Sequence, residues 1–121
     1  VVGIQADIRT ISALGGYALT AITSVTMQDE NGSTFINDLP LDMIIGQVRT
    51  IVKEWHPKVT KIGLVRDVTA IKMLKKEIVA SQKIVLVPGI FSSDGSQIIP
   101  DDAVAAIKNY VATKRKKCST Y

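Results

Sequence analysis

Two polar side chains, Asp7 and Gln28, have the chemistry and the positions to bind a small ligand. Asp7 falls in the first turn of a predicted helix, where its carboxylate can accept hydrogen bonds from an amine or a hydroxyl. Gln28 follows an apolar run, and its amide both donates and accepts, which suits a heteroaromatic ring with both functions. Each has a second interpretation: Asp7 as a carboxylate favoured by the helix dipole, and Gln28 as a polar residue leaving a strand.

Other candidate residues are less specific. Gly63 and Gly89 permit a close approach to the backbone, although glycines at strand ends more often form turns. His56 has no evident partner and is interpreted as a surface or capping residue, not as a base. Cys118 lies near the end of the chain, where a nucleophilic role is not expected. Walker A, Gly-x-Gly-x-x-Gly and Cys-x-x-Cys patterns are absent from the sequence, so no nucleotide or metal motif is predicted.

Helical and strand patterns alternate around these residues. Apolar residues at helical spacing predict helices over 6–14, 40–55, 68–80 and from 101 onward. Apolar or β-branched runs predict strands over 17–27, 34–36, 59–65 and 83–87. Asp67 is the predicted N-cap of the third helix, and the uncharged run 17–27 is expected to be covered on both faces.

This alternation favours right-handed βαβ crossovers and a parallel sheet between helices. Because it begins on a helix, we expect the first strand of the sheet to be missing. Ligands of open parallel sheets lie beyond the carboxyl ends of the strands, which are predicted at 27–29, 62–64 and 87–89. Gln28 and the two glycines would then lie at one edge of the sheet.

Composition indicates one globular domain. The chain has 121 residues, 46% hydrophobic and 21% charged, which is enough for one modest core and too little for two. Its single cysteine excludes an intramolecular disulfide and fits a reducing compartment, so a cytoplasmic location is expected. There is no secretory signal and no apolar run of about 20 residues, so no membrane partner is expected.

The positive charge is concentrated near the C-terminus. The net charge is +4, and the run Lys114-Arg115-Lys116-Lys117 carries four cations, so the remainder is balanced. No aromatic residue is interleaved with the run to stack on bases, and nucleic acid is therefore not an expected partner. Residues 114–121 are interpreted as a solvated basic tail, with anion binding as the alternative.

One block of the sequence resembles a known enzyme family. Residues 3–15 are Gly-Ile-Gln-Ala-Asp-Ile-Arg-Thr-Ile-Ser-Ala-Leu-Gly. They are similar to the block Gly-Ile-Gln-Ala-Asp-Leu-Lys-Thr-Phe-Ser-Ala-Leu-Gly of the hydroxymethylpyrimidine and phosphomethylpyrimidine kinases of thiamine synthesis, in the ribokinase-like superfamily. The similarity continues at Thr20-Ala-Ile-Thr23, Gln28, Gln47 and Lys61-Ile-Gly63, and covers most of the chain.

The resemblance implies a ribokinase-like, three-layer αβα fold with a mainly parallel sheet, present in this chain as one partial domain over 1–121. It implies phosphate transfer from ATP, with Mg²⁺, to hydroxymethylpyrimidine or its monophosphate. This chain would supply the pyrimidine-binding half, with Asp7 and Gln28 matching the family's pyrimidine ligands. Leu64 replaces the methionine of the apolar wall, a tolerable exchange, and Gly89 is the fourth substrate-binding candidate.

Departures from the family pattern leave other functions open. Val87-Pro88-Gly89-Ile90 stands where many members have Asp-Pro-Val-Met, so an aspartate is lost. The family's glycine-rich segment precedes Gly3, and its Asn-x-x-Glu and Gly-Thr-Gly-Cys segments would follow Tyr121. No catalytic, ATP-binding or metal residue is therefore expected within this chain. A degenerate ligand-binding paralogue and a pyridoxal-type vitamin kinase are the alternatives.

A partial parallel sheet would expose a long strand edge and an apolar flank. We therefore expect the isolated chain to associate, either as a homodimer or through the missing half of the domain.

Overall fold

The computed structural model describes residues 3–31, 34–78, 83–91, 95–113 and 118–120. They form a mixed α/β arrangement of helices and short strands. In chain order the elements are α1 (Ile4–Ala13), β1 (Ser24–Gln28), β2 (Thr34–Asp38), α2 (Leu41–Trp55), β3 (Val59–Ile62), α3 (Val68–Glu77), β4 (Lys83–Leu86), α4 (Asp101–Thr113) and β5 (Cys118–Thr120).

A parallel sheet is formed by the second half of the chain. Its strand order is β3-β4-β5, with Thr60 opposite Ile84 and Ile84 opposite Cys118. The helix α3 connects β3 to β4, and α4 connects β4 to β5, so the predicted βαβ alternation is confirmed for this half. The predicted basic tail 114–121 included Cys118–Thr120, which form β5 instead, while the run 114–117 lies outside the described residues.

The prediction for residues 17–27 is wrong. Only Ser24–Gln28 form a strand, and it pairs with β2 in an antiparallel hairpin, not with the parallel sheet. Val25 is 58% exposed and Met27 is 63% exposed, so the strand is not covered on both faces. The physical reason is that an uncharged, β-branched run suits any strand, and the partner nearest in sequence follows a short turn. Gln28 consequently lies opposite Thr34, at the end of the hairpin where the turn joins the two strands.

The helix boundaries follow local signals. The Asp67 carboxylate accepts a hydrogen bond from the Ala70 amide at 3.3 Å, which confirms the predicted N-cap of α3. His56 ends α2 in the left-handed conformation, with φ of 48°, and the prediction of an exposed capping residue is confirmed. The strands over 59–65 and 83–87 are shorter than predicted, ending at Ile62 and Leu86.

The hydrophobic core lies between β3–β4 and the helices α2, α3 and α4. Its buried side chains include Ile44, Ile45, Ile71, Leu74, Ile84, Leu86, Ile107 and Tyr110. Ile62 packs against this core, whereas its neighbour Lys61 points to the opposite face of the strand and contacts α1. The helix α1 therefore lies across the sheet from the other three helices.

The helix α1 and the segment after it remain largely uncovered. No residue of α1 is buried, and Leu14 at its end is 83% exposed. The following Tyr17 stacks on Trp55 of α2, with ring centroids 5.9 Å apart. Among the residues that the structure describes, no helix has the length and apolar content to cross a bilayer.

Candidate functional site

Asp7 lies at the carboxyl end of the parallel sheet because of a contact with β3. The Asp7 amide donates to the Gly3 carbonyl at 3.1 Å in the first turn of α1, and Gly3 adopts φ of 114°, which favours glycine. The Lys61 ammonium lies 2.5 Å from Oδ1 of Asp7, and both side chains are about one third exposed. Lys61 immediately precedes the last residue of β3, so the Asp7 carboxylate is held near the end of that strand.

Leu64 lies beyond the same strand end and is joined to the segment that leads into β1. Its side chain packs against the core, and its carbonyl accepts a hydrogen bond from the Thr23 hydroxyl at 2.6 Å. Asp7 and Leu64 are therefore both close to the end of β3, each through a contact with a different part of the chain.

Gln47 holds the segment before β1 against α2. Its Nε2 donates to the Ile22 carbonyl and its Oε1 accepts from the Ile22 amide, both at 2.9 Å. Nε2 also lies 3.2 Å from the Met43 carbonyl. A side-chain amide thus satisfies both backbone groups of Ile22, as a neighbouring strand would. Sequence reasoning noted Gln47 only as a family match, and its partner 25 residues away has no local signal.

Gln28 and Gly89 are exposed, and the structure does not join them to the other two candidates. Gly89 has φ of 59°, and a Cβ atom added there would meet no atom within 4 Å, so its backbone is open to close approach. Among the described residues no hydrogen bond links Gln28 or Gly89 to Asp7 or Leu64. The shared pyrimidine pocket stays a prediction.

Two cavities lie near the end of β3, and none of the four candidates lines either of them. One is apolar and lies inside the core, with Gly63, Leu74, Ile107 and Tyr110 in its wall. The other lies between the hairpin and the start of α3 and is lined by Thr23, Ser24, Asp38, Leu39, Leu41, Ile44, Val65, Arg66, Asp67 and Ala70. The second is the more polar, because it contains charged side chains.

A polar network beside the second cavity connects the hairpin to the sheet. Arg66 donates from Nη1 to the Asp38 carboxylate at 2.7 Å and from Nε to the Ile98 carbonyl at 3.0 Å. The Ser24 hydroxyl donates to the other Asp38 oxygen at 2.6 Å. Sequence reasoning missed this network because its members are far apart in the chain and each lies in an ordinary loop or strand.

Comparisons with known proteins agree with one another. A family model described as phosphomethylpyrimidine kinase matches residues 2–116. The hydroxymethylpyrimidine/phosphomethylpyrimidine kinase of Rhizobium meliloti is 31% identical over 106 residues, which are 87% of this chain and 40% of that protein. The chain thus spans about two fifths of the length of that curated relative.

Solved structures give the same result for the fold. The crystal structure of phosphomethylpyrimidine kinase from Clostridium difficile has a TM-score of 0.79 at 28% identity, over 91% of this chain and 48% of that one. The pyridoxal kinase from Staphylococcus aureus in complex with ADP has a TM-score of 0.75 at 26% identity, over 91% of this chain and 40% of that one. The expected ribokinase-like architecture is therefore supported as a likeness to part of these chains.

Proposed function

Since this chain belongs to the phosphomethylpyrimidine kinase family, we propose that it supplies the pyrimidine-binding half of a kinase acting in thiamine synthesis. The reaction proposed is the transfer of phosphate from ATP to hydroxymethylpyrimidine or to its monophosphate. The observation that carries the proposal is the family match over residues 2–116, within which Asp7 lies next to the carboxyl end of β3.

Each of the four candidate residues has a defined task in this proposal. The Asp7 carboxylate accepts a hydrogen bond from the amino group of the pyrimidine, using Oδ2, since Oδ1 is paired with Lys61. The Gln28 amide donates to and accepts from the ring nitrogens and their substituents. Leu64 is only partly buried against the core and supplies the remaining part of its side chain as an apolar surface for the ring. The open backbone at Gly89 permits close approach.

Binding of this kind contributes to phosphoryl transfer by positioning. Phosphoryl transfer depends mainly on the alignment of donor and acceptor and on stabilisation of charge. A pyrimidine held by two polar groups on different elements has its hydroxymethyl oxygen fixed in direction. In the proposed site, Asp7 and Gln28 would set that direction.

The part of the chain that the structure describes shows no site that fits Mg²⁺. In the described ranges no group of three or more His, Cys, Asp or Glu side chains could hold a metal ion. The sequence also has no glycine-rich phosphate loop.

Calorimetric titration of the full-length protein with hydroxymethylpyrimidine tests the proposal. Gln28→Ala is expected to weaken binding by about tenfold, because the ligand loses the side-chain amide with which it forms hydrogen bonds. Asn37→Ala is the matched control, since Asn37 is an exposed amide on β2 of the same hairpin. Unchanged affinity in Gln28→Ala would count heavily against the pyrimidine site.

A second candidate function is that of a pyridoxal-type vitamin kinase. The observation that favours it is the likeness to the pyridoxal kinase from Staphylococcus aureus, which is nearly as high as that to the phosphomethylpyrimidine kinase. Comparing turnover of hydroxymethylpyrimidine and pyridoxal by the full-length protein separates the two. A non-catalytic paralogue, which Val87 and Gly89 favour by departing from the family pattern, would turn over neither substrate.

A further inference from the structure

Lys61 gives the candidate ligand residue Asp7 a paired charge, and we propose that this makes Lys61 a specificity-determining residue. By neutralising the carboxylate, Lys61 would make the site prefer a neutral aminopyrimidine over a ligand that carries an ammonium group. The inference rests on the proposed function, because it takes Asp7 to be a pyrimidine ligand.

The ion pair is both close and accessible. Lys61 Nζ and Asp7 Oδ1 are 2.5 Å apart, and the side chains are 32% and 33% exposed, respectively. A ligand can therefore reach the pair, while the partial burial limits screening by water. No other salt bridge between described residues involves either side chain.

Lys61 is held in position by the sheet. Its backbone lies opposite Val85 in the parallel pairing of β3 with β4, and its side chain lies on the face that carries α1. Lys61 is therefore carried by a strand that packs against the core, whereas Asp7 is carried by a helix with no buried residue. Lys61 sets the location of the carboxylate more than the reverse.

The charge of the pair determines which ligands are favoured. An unpaired carboxylate binds a cationic ligand more tightly than a neutral amine, because only the cation gains a charge–charge attraction. In the pair the net charge is zero, and the second oxygen remains a hydrogen-bond acceptor. Specificity is a difference between two affinities, so removing the ammonium raises the affinity for the cation relative to that for the neutral ring.

The test is calorimetry with the full-length protein at near-neutral pH, using hydroxymethylpyrimidine and its aminomethyl analogue, which carries an ammonium group. Lys61→Met is expected to shift the affinity ratio toward the analogue by about fivefold. Lys61→Arg keeps the positive charge and is expected to retain the wild-type ratio. Lys61→Gln provides a second neutral variant, and thermal melting of each variant identifies any that fails to fold.

Three results separate the role of Lys61 from the proposed function. A shifted ratio in both neutral variants, with the wild-type ratio in Lys61→Arg, supports the role of Lys61. An unchanged ratio in folded neutral variants that still bind the pyrimidine overturns that role and leaves the proposed function standing. Failure of the wild-type protein to bind the pyrimidine overturns both.

Discussion

The side-chain amide of Gln47 hydrogen-bonds both backbone groups of Ile22, with each donor–acceptor distance at 2.9 Å. The next residue, Thr23, donates its hydroxyl to the Leu64 carbonyl. The segment that enters β1 is thus held on one side by α2 and on the other by the loop after β3. Two adjacent residues determine where the hairpin leaves the rest of the molecule.

Gln47→Ala is expected to lower the free energy of unfolding by about 1 kcal/mol, because it removes the partner of both Ile22 groups at a site that is partly open to water. Gln47→Glu should be destabilising as well, since a carboxylate cannot donate to the Ile22 carbonyl. Urea unfolding followed by circular dichroism measures both changes. Lys53→Ala, at an exposed position of the same helix, is the control, and an equal loss in it would contradict this role of Gln47.

Arg66→Met is expected to lower the free energy of unfolding by about 1 kcal/mol and to loosen the hairpin, because the Asp38 carboxylate and the Ile98 carbonyl both lose a donor. Hydrogen exchange of the β1–β2 amides measures the loosening. Combining Arg66→Met with Asp38→Asn should add less than the sum of the single effects, since the two share one ion pair. Strict additivity would show that the pair is not coupled.

Ile84→Ala is expected to lower the free energy of unfolding by about 3 kcal/mol, and Ile84→Val by about 1 kcal/mol, because Ile84 lies in the centre of the core with 2% of its surface exposed. Thermal and chemical unfolding of the variants measure the loss. Val25→Ala removes two side-chain carbons from the exposed hairpin, one more than Ile84→Val, and should nevertheless cost less than either Ile84 variant. Similar losses at the two sites would contradict the location of the core.

A chain of only these 121 residues is expected to self-associate at micromolar concentrations, because the apolar residues of α1 and the hairpin are exposed. Leu14→Gln combined with Ile8→Gln should reduce the association, and analytical ultracentrifugation measures it. The matched control is Arg9→Gln together with Lys53→Gln, which changes as many exposed residues without removing apolar surface. A stable, compact monomer of the unmodified chain would overturn this prediction.

Local chemistry predicted much of the second half of the fold. Three features depend on residues within a few positions of one another. They are the N-cap at Asp67, the end of α2 at His56, and the alternation of short apolar strands with amphipathic helices. Residues 17–27 were mispredicted because an uncharged, β-branched run does not specify its partner strand. The part of the run that forms a strand, Ser24–Gln28, pairs with β2, the next strand along the chain.

The candidate site shows the same difference between local signals and long-range contacts. Asp7 and Gln28 were identified by residue type and by family resemblance, but their surroundings depend on long-range contacts. Lys61 is 54 residues from Asp7, and Arg66 is 28 from Asp38, so no local pattern could indicate either pair. A single sequence contains the donors and acceptors, whereas their pairing requires the folded chain.

The stacking of Tyr17 on Trp55 gives the molecule an intrinsic optical reporter. Trp55 is the only tryptophan in the sequence, and this residue lies exposed at the end of α2. Its fluorescence therefore comes from one site, where the chain between α1 and β1 crosses that helix. Any event that separates this crossing segment from α2 changes the emission of a single indole, which can be followed in real time without a label.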